Sequence, residues 1–186
     1  MVSLAALWMP IVLSAVIVFV ASSLIHMLLG YHKNDWLTMP REDDVMAALR
    51  PFDIPPGDYM IPRAGSMAAM KSEAFQQKMK AGPVALMTVA PKGTWSMGSA
   101  MVLWFIYSVV VSFFSAYLAS HVIPPGTQYL QVFRIVGTAA FMGYSLALAQ
   151  WSIWYRRNWG TTLLSMFDGL LYALLTAGTF GWLWPH

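Results

Sequence analysis

The sequence contains no cysteine. That excludes a disulfide framework, a thiolate-held metal or iron–sulfur centre, and a cysteine nucleophile. It is also poor in charge: 11 Lys+Arg and 8 Asp+Glu make up 10% of 186 residues, where a soluble domain carries about 25%. Fifteen of those charges fall between Lys33 and Lys92, leaving only Arg134, Arg156, Arg157 and Asp168 elsewhere. Neither a soluble domain nor a disordered chain has that distribution. The phosphate-cradling glycine motifs are missing, as are HExxH and GxSxG, and no paired carboxylates accompany a histidine along the chain. The net charge of +3 carries no nucleic-acid signal, because eight bases alternate with seven acids in one segment.

What the chain has instead is apolar length, with 58% hydrophobic residues. Crossing a bilayer takes about 20 helical residues for about 30 Å of hydrocarbon. Four stretches meet that length: 4–29, 98–122, 130–151 and 161–184. The third is interrupted only by Arg134 and the fourth only by Asp168. Nothing basic precedes the first stretch, and its apolar run exceeds a signal-peptide core, so it reads as a span. The predicted fold class is an all-α integral membrane protein with four transmembrane helices. A small mixed α/β cytoplasmic cap, formed by the segment 30–97 between helices 1 and 2, completes it.

The asymmetry of Lys and Arg predicts the orientation. Segment 31–97 holds eight bases and Arg156-Arg157 lie between spans 3 and 4, whereas 121–129 and both ends hold none. Both basic connections fall on one side of a four-pass chain. The termini are therefore expected in the periplasm or exterior, and 31–97 in the cytoplasm, in a bacterial-type inner membrane. Aromatic residues agree with these depths: Trp36, Trp95, Trp151, Trp154, Tyr155 and Trp159 mark one interface, and Trp8, Tyr129, Trp182 and Trp184 the other.

Small residues let helix backbones approach in lipid. Span 2 carries Ser108, Ser112, Ala116 and Ser120 at four-residue spacing; span 3 carries Ala139, Gly143 and Ala147; span 4 carries Gly169, Ala173, Ala177 and Gly181. These stripes predict a tight antiparallel bundle of spans 2–4. Span 1 has no such stripe and is expected to pack more loosely, face lipid or contact another protein. In the polar segment, Glu42-Asp43-Asp44 opens a short helix ending near Arg50, with acids at its positive end. Residues 66–81 read as a second helix, capped by Ser66 and stopped by Gly82. The run 84–90 has strand character and can pair with 59–61. The methionines 46, 60, 67, 70, 79 and 87 suit adaptable apolar contacts.

A charge within a span is a functional hypothesis by default. Asp168 shares its depth with Tyr144, Ser145, Tyr107, Ser108 and His26, which predicts one buried polar cluster. Its expected role is structural, with the carboxyl held by hydroxyl or imidazole groups. Arg134, near the other end of span 3, is expected to snorkel to the headgroups or to meet Tyr117 or the terminal carboxylate. A bis-histidine haem needs two histidines at one level on facing helices. His26 and His32 both belong to span 1 and its exit, and His121 and His186 sit at span ends. No catalytic residue, metal site or cofactor is assigned; His26 is the candidate for a single axial ligand to chlorophyll or haem.

A short chain with these spans, a polar cap and no catalytic motif predicts a non-catalytic accessory or scaffold subunit. It would belong to a larger membrane complex of the energy-transducing kind, respiratory or photosynthetic. The expected partners are other membrane subunits and the lipid bilayer, with no nucleic acid. Two alternatives accompany this expectation. One is a small proton- or ion-coupled transporter or channel component using Asp168. The other is a pigment- or haem-binding membrane subunit using His26.

Overall fold

The computed structural model describes residues 1–93 and 96–186; Trp95, expected at an interface, lies outside the described residues. In chain order the elements are α1 (Trp8–Leu28), α2 (Glu42–Leu49), β1 (Gly57–Ile61), α3 (Met67–Lys71), α4 (Glu73–Ala81), β2 (Ala85–Val89), α5 (Met97–Val122), α6 (Tyr129–Tyr144), α7 (Ala149–Tyr155) and α8 (Trp159–Trp182). Short 3-10 turns precede α1 at Leu4–Leu7, follow it at Gly30–His32 and separate α6 from α7 at Leu146–Leu148. The chain divides into two compact units, Met1–Trp36 with Ser96–His186, and Leu37–Trp95.

The first unit holds four helices long and apolar enough to cross a membrane: Leu4–Leu28, Met97–Val122, Tyr129–Tyr155 and Trp159–Trp182. They close a ring in which α1 neighbours α5 and α8, and α6 neighbours the same two helices. This corrects the looser packing expected of span 1, while Val12, Val16, Val20 and Leu24 stay exposed on its outer side. It is no loose outrider but stands between spans 2 and 4, which lie across the bundle from each other. Its inward side is Ser14, Ala15, Val18, Ser22 and Ile25. Ser14 donates to Ser112 at 2.9 Å, and Ser22 accepts from the Trp104 indole at 2.8 Å. Hydroxyls therefore do for α1 what a glycine stripe does elsewhere.

Two apolar clusters fill the bundle from end to end. One joins Val2, Leu7, Ala116, Val132, Val136, Phe180 and Trp184; the other joins Val18, Ile25, Val111, Ala140, Tyr144, Tyr172 and Ala173. The Trp184 indole donates to the Pro124 carbonyl at 3.0 Å, and Gly126 N–H to Pro185 O at 2.9 Å. Trp184, expected at an interface, is thus a buried closure of the bundle end, whereas Trp8 and Trp182 are exposed.

Ser108, Ser112, Ala116, Gly169, Ala173 and Ala177 are all buried. The span 3 stripe sits differently. The inward row is Val132, Val136, Ala140 and Tyr144, while Ala139 is half-buried and Ala147 exposed. Gly143 touches α5, since a Cβ there would meet Val111 at 3.0 Å, and Gly181 lies under the Tyr129 ring. Ala147 leaves the row because the helix breaks at Ser145, whose hydroxyl donates across to Met166 O at 2.8 Å. Gly169 permits this crossing: a Cβ there would lie 2.7 Å from Tyr144 O.

In the second unit, β1 and β2 form a two-stranded antiparallel sheet with Tyr59 opposite Met87 and Ile61 opposite Ala85. The predicted helix 66–81 is two helices. Ser72 adopts an extended backbone, donates to Ala69 O and accepts from Phe75 N–H, so its hydroxyl ends α3 and caps α4. No described residue of this unit is buried.

Candidate functional site

Helix α8 carries Asp168 nine residues from its start at Trp159, about 14 Å along the axis. Helix α1 stops at Leu28, and the chain folds back through the turn Gly30–His32, where Tyr31 N–H meets Leu29 O at 2.6 Å. That turn delivers two donors to one carboxylate. The Tyr31 hydroxyl donates to Asp168 Oδ1. His32 Nε2 lies 2.7 Å from Asp168 Oδ2, and His32 Nδ1 lies 2.8 Å from Asp35 Oδ2. The side chains of His32 and Asp168 are only 10% and 4% exposed. The fold thus places one imidazole between two carboxylates, an arrangement that reading along the chain missed. Burial, reinforced by the hydrogen bond to Asp168, pushes the Tyr31 phenol up to about 12.

The partners expected for Asp168 are otherwise engaged. Tyr107 donates to Gly143 O at 2.6 Å, Tyr144 to Ser108 O at 3.3 Å, and Ser145 to Met166 O. These bonds tie helices together rather than hold the carboxylate. His26 reaches the cluster by another route: its ring packs on the His32 ring with centroids 4.4 Å apart. One nitrogen of each imidazole and an oxygen of Asp168 lie within 4.8 Å of one another. Arg134 is exposed and forms no ion pair among the described residues. Tyr31 and Asp35 carried a signal only in retrospect, as polar residues within seven positions of a span's end, and the sequence marks His32 only as a haem-ligand candidate.

Beside this cluster, within the same unit, lies a cavity of about 570 Å³. Its walls are mostly apolar, with Phe19, Met27 and Met101 among them, and His26, Asp168 and three serines supply polar lining. Trp104, Tyr107, Tyr144 and Tyr172 form an aromatic wall. Trp104 and Tyr172 have centroids 5.7 Å apart, Tyr144 and Tyr172 5.7 Å, and Tyr107 and Tyr144 5.9 Å. Tyr172 is 4% exposed, and its hydroxyl has no hydrogen-bond partner among the described residues. A buried hydroxyl normally finds one. The arrangement suits an uncharged ring whose polar edge accepts a hydrogen bond.

No family model, curated protein or solved structure matches this chain.

Proposed function

We propose that the protein is a non-catalytic subunit of a larger membrane assembly, and that it holds a membrane-soluble ring compound bearing a carbonyl, of the quinone class, in the cavity between its spans. The single observation that carries this reading is the aromatic-walled cavity of about 570 Å³, whose lining includes Tyr172 with its buried, unpartnered hydroxyl. The volume falls within the usual range for small-molecule sites, about 300–1,000 Å³. A ligand carbonyl would satisfy the orphan donor once a small shift of the Tyr172 ring brings its hydroxyl to the cavity wall. The cavity's low polarity suits a molecule that partitions into lipid. Such ligands serve respiratory and photosynthetic assemblies, the setting proposed for this subunit.

The subunit reading has separate support in Leu37–Trp95. That unit has helices and a sheet yet buries none of its described residues, and Phe52, Met60, Met67 and Leu86 are exposed. A folded unit needs a covered apolar face, and a neighbouring protein supplies one. The proposed orientation puts this unit in the cytoplasm and both termini outside, following the bases of 31–97 and Arg156-Arg157.

Titration of the detergent-solubilised protein with a short-tail benzoquinone tests the ligand, because Trp104 lines the cavity. Saturable quenching of tryptophan emission, reduced in Trp104→Phe, is expected. Linear quenching, the same in both proteins, contradicts it. A second reading, a proton-coupled role, is favoured by the continuous chain Asp35···His32···Asp168. Asp168→Asn in proteoliposomes discriminates: loss of a proton flux with an intact fold selects the relay.

A further inference from the structure

The cluster that lends His26 and Asp168 to the cavity lining has a second capacity that does not depend on what occupies the cavity. We propose that His26, His32 and Asp168 bind a divalent first-row transition-metal ion, with Asp35 and Tyr31 positioning two of the three ligands.

Four observations support this. First, the donor atoms of the three side chains lie within 4.8 Å of one another, so that a small movement brings them onto one ion. Second, His32 carries the outer contact that metal-bound histidines show: its Nδ1 meets Asp35 Oδ2 at 2.8 Å, which leaves Nε2 pointing at Asp168. A carboxylate behind an imidazole fixes the ring and strengthens it as a ligand. Third, Tyr31 occupies Asp168 Oδ1, so the ion would take Oδ2 and replace its present contact with His32 Nε2. Fourth, the His26 side chain makes no hydrogen bond among the described residues, although its ring packs against His32. Its lone pair is uncommitted.

The geometry needs only a small adjustment. His32 Nε2 and Asp168 Oδ2 are 2.7 Å apart, a hydrogen-bond distance. Two ligands of one tetrahedral ion, each about 2.1 Å from it, stand about 3.4 Å apart. Rotation of exposed-side His26 and a slight opening of that pair accommodate the ion. Two imidazoles and one carboxylate select zinc, iron or cobalt over magnesium and calcium, which favour oxygen ligands. Three protein ligands leave coordination positions open, and His26 and Asp168 both line the cavity. A bound ion would therefore be reachable from it.

The test uses the full chain in detergent, stripped with a chelator and titrated with Co²⁺ while its visible spectrum is recorded. The expected result is one Co²⁺ per chain with ligand-field bands, displaced by Zn²⁺ and unaffected by excess Mg²⁺. His26 is exposed and unbonded, so His26→Ala leaves the fold intact and is expected to weaken Co²⁺ binding by about tenfold or more. Asp35→Asn is expected to weaken it about 10–100-fold through His32 alone. Tyr172→Phe is expected to leave it unchanged, which separates this site from the ring-ligand reading. Equal Co²⁺ binding by wild type and His26→Ala, or the absence of ligand-field bands, overturns the proposal. Unchanged affinity in Asp35→Asn removes the positioning role.

Discussion

Tyr172 and Asp168 sit one helical turn apart on α8 and pose opposite problems. The Tyr172 hydroxyl has no partner among the described residues; the Asp168 carboxylate has Tyr31 and His32. An unsatisfied buried polar group costs about 1–3 kcal/mol. Tyr172→Phe should therefore raise the stability of the ligand-free protein by about 1 kcal/mol while weakening quinone binding. A thermal melt and the quenching titration read the two effects, and a destabilised Phe variant would show that the hydroxyl has a partner. At Asp168 the expectation reverses. Asp168→Asn keeps a group able to bond Tyr31, whereas Asp168→Leu strands both Tyr31 and His32 and should cost about 2–3 kcal/mol more. Equal melting of the two variants would contradict this. The sequence made Asp168 and His26 legible because a charge or an imidazole within an apolar run stands out. It hid the meeting of Tyr31, His32 and Asp35 with Asp168, because a 3-10 turn that folds back over a span has no periodicity to read.

Helices were the most legible elements, since length and hydropathy dictate them. On span 3 small size pointed to Ala139, Gly143 and Ala147; Gly143 does pack on Val111 of α5, but Ala147 is exposed, and the buried row runs one position away through Ala140 and Tyr144. The break at Ser145 depends on a hydrogen bond to α8, and no local signal encodes a partner on another helix. Likewise Ser72 divided a predicted single helix, because its hydroxyl competes with the backbone. The close crossing of α6 and α8 supports a sharp prediction. A Cβ at Gly169 would stand 2.7 Å from a backbone oxygen that cannot rotate away. Gly169→Ala should destabilise the bundle by about 1–3 kcal/mol. Ala177→Leu should do the same, because Ala177 is fully buried. Val18, which lacked any mark of burial in the sequence, is also fully buried, so the tolerant control is Val20→Leu at a 50% exposed site. Equal melting of Gly169→Ala and Val20→Leu would remove the argument.

At the scale of the molecule, ten of the 11 bases lie in two connections on one side of the four spans. Reporter fusions after Lys80 and after His186 should report cytoplasm and exterior respectively. An exterior Lys80 fusion would overturn the orientation and, with it, the cytoplasmic placement of Leu37–Trp95. The central claim, that the bundle holds a membrane-soluble ring compound, is tested most directly by what the protein carries out of its own membrane. Purified in mild detergent and extracted with organic solvent, it should yield one carbonyl-bearing ring compound in near-stoichiometric amount by mass spectrometry, depleted in Tyr172→Phe. An extract holding only phospholipid and detergent, identical for the two proteins, would contradict the claim.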